Sequence, residues 1–100
     1  MDIKTVTQAW GNENSWTFGK CKSTQRYGTR RTYTMNCCLP QGEHTLTCKD
    51  SYGDGWHGGY LEIKGKNYCK DFRNGKEKTT KIHIKGIKSI KRSFFDLNQL

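Results

Sequence analysis

The chain has 100 residues, of which only 32% are hydrophobic, and it carries a formal net charge of +9. A chain of this length forms one domain with a small core, and its aromatic content of 12% is too high for a disordered protein. It contains no apolar run of the roughly 20 residues that a transmembrane helix needs. These features argue against a disordered protein and exclude a membrane-spanning helix.

Several segments alternate polar and apolar residues with the period of two that is typical of β-strands. In chain order they are residues 15–18, 33–37, 45–48, 60–64 and 81–85. Glycine-rich or polar turns separate them, and we expect hairpins at the last two turns, 64–67 and 73–75. Short strands at this spacing predict an all-β protein, namely a small, jelly-roll-like β-sandwich braced by disulfides.

The end of the chain has a different pattern. Apolar residues at positions 87, 90, 94 and 97 have the spacing of one helix face. We therefore expect a β-sandwich domain over residues 1–86 and a basic amphipathic tail over residues 87–100, with a short C-terminal helix in that tail.

The glycine-rich segment in the middle of the chain has the most informative sequence. Residues 48–63 read CKDSYGDGWHGGYLEI, with four glycines within residues 53–59. Asp50 and Asp54 either accept backbone N–H groups as turn residues or supply carboxylates to calcium. We favour the hydrogen-bonded interpretation, because two carboxylates are few for an ion that takes 6–8 oxygen ligands. The prediction is no metal and no cofactor, with calcium at Asp50 and Asp54 as the alternative.

Three motifs carry a resemblance to a known family. They are Glu-Asn-Ser-Trp at 13–16, Cys-Leu-Pro-Gln-Gly at 38–42, and residues 45–56, which end in Asp-Ser-Tyr-Gly-Asp-Gly-Trp. In these motifs the chain resembles the extracellular "DSYGDGW" β-sandwich domain of surface and secreted proteins from marine invertebrates, protists and bacteria. The match covers roughly residues 8–86. The resemblance implies an extracellular, non-catalytic sandwich within an adhesive, matrix or secreted protein.

The cysteines lie at positions 21, 37, 38, 48 and 69, and none forms the Cys-x-x-Cys pair of a zinc site. Disulfides stabilise a small domain by roughly 2–4 kcal/mol each and persist outside the reducing cytosol, so we expect a secreted protein. We predict a bridge from Cys48 to Cys69, which would clamp the glycine loop. Cys21 then pairs with Cys37 or Cys38. We take Cys38 as its partner, which leaves one thiol over.

A binding module fits the sequence better than an enzyme does. The catalytic motifs Gly-x-Ser-x-Gly and His-Glu-x-x-His are absent, as is a phosphate loop. Loops at one end of a sandwich often bind ligands. The candidate ligand-binding residues are Tyr52, Asp54, Trp56, His57 and Tyr60. Their predicted partner is an extracellular glycan or matrix polymer, although Trp56 can equally fill the core.

Two other functions are kept as alternatives. The first is a self-assembling subunit of an extracellular fibre or matrix, in which the leftover thiol or the strand edges join copies. The second, ranked behind it, is a cationic defence protein that binds anions or membranes. Alternation places three basic side chains on one face of a strand, and a fourth follows in the tail: Lys81, His83, Lys85 and Lys88. They are the predicted anion-binding residues, whereas no recognition motif indicates a specific nucleic acid.

Overall fold

The computed structural model describes residues 1–85, so the predicted tail and its helix lie outside the described residues. The strands are β1 (Asp2–Val6), β2 (Asn14–Phe18), β3 (Cys21–Lys22), β4 (Thr32–Asn36), β5 (Gly42–Asp50), β6 (Tyr60–Ile63), β7 (Lys66–Tyr68) and β8 (Glu77–Ile84), and a 3-10 helix spans Gly11–Glu13. The eight strands form two antiparallel four-stranded sheets, with the strand orders β4-β1-β6-β7 and β3-β2-β5-β8. The predicted all-β sandwich is confirmed. Within residues 1–85, no helix is both long and apolar enough to cross a membrane.

Each of the segments predicted from alternation overlaps a strand, namely β2, β4, β5, β6 or β8. The bounds of β2, β4 and β6 agree with the prediction to within one residue, whereas β5 and β8 begin several residues earlier than predicted. Three strands lie outside those segments: β1, β3 and β7. The most important of them is β1, which lies inside the first sheet and pairs with both β4 and β6. Its inward side chains are Ile3 and Thr5, both of which are buried.

One of the two predicted hairpins is confirmed and the other is wrong. β6 and β7 are joined by Lys64 and Gly65, whose φ angles of 51° and 82° fit the tight turn that antiparallel strands favour. Residues 73–75, by contrast, connect β7 to β8, and these strands belong to different sheets. The reason is that β8 pairs along nearly all of the long strand β5, from Gly42 to Lys49, whereas β7 has only three residues.

The core lies between the two sheets and is built around large side chains. Trp16 and Phe18 of β2 are buried, as their alternation predicts. The Trp16 indole N–H donates to the Tyr27 hydroxyl at 2.9 Å and to the Thr5 hydroxyl at 3.2 Å. This buried polar group is therefore satisfied inside the core, which avoids the cost of desolvating an indole N–H without a partner.

Two disulfides join the sheets, and they correct one prediction. Cys48 of β5 is bonded to Cys69, which directly follows β7, as predicted. Cys21 of β3 is bonded to Cys37 rather than to the predicted Cys38. Successive residues of an extended chain point to opposite faces. Cys37 continues the inward face of β4 and is buried, whereas Cys38 is exposed and its thiol is free. The two disulfides indicate an oxidising environment.

Candidate functional site

The glycine loop, residues 51–59, is anchored by the carboxylate of Asp50 at the end of β5. Asp50 is 1% exposed. Its Oδ2 atom accepts hydrogen bonds from the backbone N–H groups of Gly53 at 2.7 Å, Asp54 at 2.6 Å and Gly55 at 2.9 Å. Burial acts to raise the pKa of Asp50, but the hydrogen bonds from the loop outweigh it and the pKa is lowered. Asp50 thus has the predicted hydrogen-bonding role, and it acts as an ionised anchor.

Trp56 does not lie on the surface, so its predicted role in ligand binding is wrong. Its side chain is fully buried, and its indole N–H donates to the Lys49 carbonyl at 2.8 Å. Its backbone N–H donates to the Phe72 carbonyl at 2.9 Å. Burying so large a ring stabilises the fold of a chain with few apolar residues. Trp56 therefore fills the core, which is the alternative that the sequence left open.

At Gly55 the loop passes very close to the backbone of residues 72–73. Its φ angle is +82°, and a Cβ atom there would lie 2.2 Å from the carbonyl oxygen of Phe72. Gly65, in the β6–β7 turn, has the same φ of +82° but no atom within 4 Å of such a Cβ. Comparing substitutions at Gly55 and Gly65 therefore distinguishes the cost of backbone strain from the cost of a close contact.

We expect Gly55→Ala to lower the free energy of unfolding by about 3 kcal/mol or more, because it adds a collision with backbone to the strain. Gly65→Ala introduces only the backbone strain, so it should lower the free energy of unfolding by about 1–2 kcal/mol. Urea unfolding of both variants, followed by tryptophan fluorescence, measures the difference. Equal losses in the two variants would show that the loop is not packed as closely as the structure indicates.

An acidic cluster lies beside the Asp50 anchor. We define it as Glu13, Asn14, Asp50, Asp54 and His57. Ligand atoms of Glu13, Asp54 and His57 all lie within 4.8 Å of one another, and His57 Nε2 is 3.2 Å from Asp54 Oδ2. Asn14 is directly opposite Asp50 in the pairing of β2 with β5. The Ser51 N–H donates to the Glu13 carbonyl at 3.0 Å, which holds the glycine loop against the 3-10 helix.

Buried atoms of this cluster lack hydrogen-bond partners within the described part of the chain. They are Glu13 Oε1, Asp50 Oδ1, Asp54 Oδ1, and Asn14 Oδ1 and Nδ2. Desolvation raises the pKa of the Glu13 carboxyl, the charges of Asp50 and Asp54 raise it further, and His57 opposes them. Buried polar atoms of native proteins are usually paired with protein, water or an ion. The cluster is therefore a place where the fold concentrates polar atoms that need an additional partner.

A pocket of about 290 Å³ opens beside the cluster and is lined by Trp10, Glu13, Tyr52 and Asp54. We call it the aromatic pocket. Trp10 is 58% exposed and Tyr52 is 74% exposed, and these are the large hydrophobic side chains that residues 1–85 leave exposed. Trp10 precedes the 3-10 helix and accepts a hydrogen bond from the Glu13 N–H at 3.0 Å. The pocket therefore combines two aromatic rings with two carboxylates.

The structure brings some of the predicted ligand-binding residues together and separates others. Tyr52 and Asp54 line the aromatic pocket, and His57 contacts Asp54. Tyr60 lies elsewhere, on β6, with its ring 5.3 Å from the Lys70 ammonium group. The sequence-based prediction missed Trp10 and Glu13. Both flank the turn at residues 11–12, and only the pairing of β2 with β5 places that turn beside the glycine loop.

Two of the predicted anion-binding residues, Lys81 and His83, lie on β8, the edge strand of the second sheet. Lys81, His83 and the following Lys85 are exposed, as alternation predicts, while the isoleucines of β8 point inward. Glu43 of β5 lies directly opposite His83, so the face also carries an acidic side chain. Lys88 lies outside the described residues. Anion binding by this face stays a prediction.

Comparison of the chain with known protein families, with curated proteins and with solved structures found no match. A functional assignment must therefore start from the chemistry of the site. The acidic cluster and the aromatic pocket share Glu13 and Asp54, so they form one continuous candidate site at the glycine-loop end of the sandwich.

Proposed function

We propose that this domain is a secreted, non-catalytic binding module that holds an uncharged glycan in the aromatic pocket. One observation carries the proposal: the exposed rings of Trp10 and Tyr52 line the same pocket as the carboxylates of Glu13 and Asp54. Exposed aromatic side chains cost solvation free energy, and a group of them at a pocket is typical of a binding surface.

The chemistry of the pocket matches that of a sugar. The C–H face of a sugar ring is apolar and can pack flat on an indole or phenol ring, which supplies a large contact area with little loss of side-chain entropy. The hydroxyl groups at the rim of the sugar are hydrogen-bond donors, and carboxylates such as Glu13 and Asp54 are strong acceptors. A single ligand can therefore use both kinds of side chain that line the pocket.

The charge of the site selects among glycans. Asp50, Asp54 and Glu13 repel sulfate and carboxylate groups at short range, so a sulfated or uronic-acid polymer is a poor ligand for this pocket. An anionic polymer would be drawn instead to the lysines of β8. The proposal therefore commits to neutral oligosaccharides at the aromatic pocket.

Secretion has separate support. Two disulfides in a domain of this size are typical of proteins from oxidising compartments. The resemblance to the extracellular "DSYGDGW" domain, through residues 45–56 above all, supports the same location.

The test begins with a screen of neutral oligosaccharides, followed by calorimetry on any that bind. We expect Trp10→Ala and Tyr52→Ala each to weaken binding at least tenfold, or about 1.4 kcal/mol, because each removes one stacking surface. Tyr60→Ala is the matched control, since it removes an aromatic ring outside the pocket. All proteins carry Cys38→Ser, which prevents disulfide-linked pairs whose two sites would raise the apparent affinity.

Two results would contradict the proposal. Binding that survives both pocket substitutions would place the ligand elsewhere on the domain. Release of reducing sugars that is abolished by Glu13→Gln would show that the paired carboxylates are catalytic, and the domain would then be a glycosidase rather than a binding module.

A further inference from the structure

The buried atoms without partners at the glycine-loop end suggest what the acidic cluster is built to hold. Four of the five are oxygens, from Glu13, Asn14, Asp50 and Asp54. Asp50 is 1% exposed and Asn14 is 4% exposed. Native proteins seldom leave such atoms unpaired, and a group of them at one place indicates an ion or water that the chain alone does not supply.

Charge leads to the same conclusion. The cluster contains the three carboxylates of Glu13, Asp50 and Asp54. Within residues 1–85, no lysine or arginine forms an ion pair with any of them, although the chain is strongly basic. Within the described residues, the basic side chain that contacts these carboxylates is the His57 imidazole, which lies beside Asp54. The loop N–H groups stabilise the charge of Asp50, but no lysine or arginine within residues 1–85 offsets the mutual repulsion of the three carboxylates.

A shared proton is the simplest alternative, but it satisfies too few atoms. One proton between Glu13 and Asp50 would pair two oxygens and leave Asp54 Oδ1 and the Asn14 amide without partners. A cation attracts carboxylate and amide oxygens alike, so it can pair with more of these atoms than a single proton can. The positive charge of the ion would also offset the repulsion between the carboxylates.

The ligand types identify the kind of cation. Carboxylate and amide oxygens are preferred by hard cations, and calcium tolerates an irregular arrangement of 6–8 oxygens, some of which are water. Zinc favours histidine and cysteine, and His57 is the single nitrogen ligand in the cluster. Magnesium demands a near-ideal octahedron at short distances, which a site spread over two strand ends and a loop does not favour.

We propose that Glu13, Asn14, Asp50 and Asp54 bind a calcium ion at the base of the aromatic pocket. The ion would link the end of the 3-10 helix, the paired ends of β2 and β5, and the glycine loop. The proposal goes beyond glycan binding and rests on a different observation, namely the buried oxygens without partners. It replaces the metal-free interpretation of the loop that the sequence alone favours.

Calorimetry of the chelator-treated protein with calcium chloride tests the site. We expect one calcium ion to bind with a dissociation constant on the order of 10⁻⁵ to 10⁻³ M, the range of extracellular calcium modules and weak sensors. Glu13→Gln and Asp54→Asn should each weaken binding at least tenfold. Neither change removes the Asp50 hydrogen bonds that anchor the loop. Asp71→Asn is the matched control, since that exposed carboxylate pairs with Lys78 outside the cluster.

Thermal unfolding gives a second readout. The effect of Glu13→Gln on the unfolding temperature should change sign between a buffer with chelator and a buffer with calcium. With chelator, Glu13→Gln should unfold at a temperature equal to or above that of the wild type, because it removes repulsion. With about 10 mM calcium, the wild type should unfold at the higher temperature, because it gains more from the bound ion. If Glu13 had only a structural role, the same protein of the two would unfold at the higher temperature in both buffers.

Several outcomes would overturn the calcium site. They are no binding at millimolar calcium, binding that Glu13→Gln and Asp54→Asn leave unchanged, or tighter binding of magnesium. Tighter binding of zinc that His57→Gln abolishes would instead assign a histidine-containing transition-metal site. These results are separate from the glycan test, because calorimetry with calcium alone contains no sugar, and loss of glycan binding in Trp10→Ala leaves the calcium ligands in place.

Discussion

Replacing Asp50 with alanine is expected to lower the free energy of unfolding by about 3–5 kcal/mol. The Asp50 carboxylate accepts three backbone hydrogen bonds from the glycine loop, and a hydrogen bond to a charged group contributes about 1.5–3 kcal/mol. Water reaching the loop would recover part of the loss, so the three contributions do not add in full. Urea unfolding in the presence of a chelator measures the effect without any contribution from bound calcium.

Asp50→Asn is the matched control for this substitution. It keeps one oxygen acceptor in place but removes its charge, and we expect roughly half of the loss seen with alanine, since neutral hydrogen bonds are about half as strong. An alanine variant within about 1 kcal/mol of the wild type would mean that Asp50 does not organise the loop.

Removing the Cys48–Cys69 bridge should lower the thermal midpoint by roughly 12–24 °C. A disulfide that closes a loop of this size stabilises a protein by about 3 kcal/mol through restriction of the unfolded chain, and in a domain of this length each kcal/mol corresponds to about 4–8 °C. The loop spans 21 residues. Calorimetric melting of Cys48→Ala/Cys69→Ala, in a Cys38→Ser background that prevents thiol exchange, measures the shift.

The other bridge is the control for this prediction. Cys21→Ala/Cys37→Ala opens a loop of 16 residues, so restriction of the unfolded chain predicts nearly the same loss. Cys48 is fully buried in the core, however, while Cys21 is half-buried. Replacing Cys48 with alanine therefore also removes packing contacts in the core. We expect the larger decrease in the thermal midpoint for Cys48→Ala/Cys69→Ala. An unchanged melting temperature in both double variants would contradict a fold that depends on its disulfides.

The predictable part of the fold comes from strands with large inward residues. Trp16 and Phe18 in β2, and the isoleucines of β8, mark an inward face that the period of two makes visible. The alternation in β1 is harder to recognise, because one of its inward residues is Thr5, whose hydroxyl is paired with Tyr27 and Trp16 inside the core. A polar residue that is satisfied only by distant side chains gives no local signal of burial.

The cysteine error had a signal that was available in the sequence. The half-buried Tyr33 and Met35 of β4 share one face, and Cys37 continues it two residues later. The phase of this alternation selects Cys37 over Cys38 as the inward thiol. The predicted partner, Cys38, is out of phase with Tyr33 and Met35 and lies on the exposed side.

The site was predictable only where it is local. The turn role of Asp50 follows from its spacing to the glycines. The orientation of Trp56 does not, because a glycine loop can turn an aromatic ring toward the core or toward solvent. Trp10 and Glu13 join the site through the pairing of Asn14 with Asp50, which lie 36 positions apart in the sequence. Such a non-local register is not encoded in any short motif.

The most direct test of the central claim is a heteronuclear NMR titration of the labelled domain with a neutral oligosaccharide that the screen identifies. If the aromatic pocket binds the glycan, the largest shifts will be at the Trp10 indole N–H and at the backbone amides of Tyr52 and Asp54, while the Trp56 indole N–H, buried in the core, moves little. Shifts confined to Lys81 and His83 on β8, with the Trp10 indole unmoved, would contradict the account.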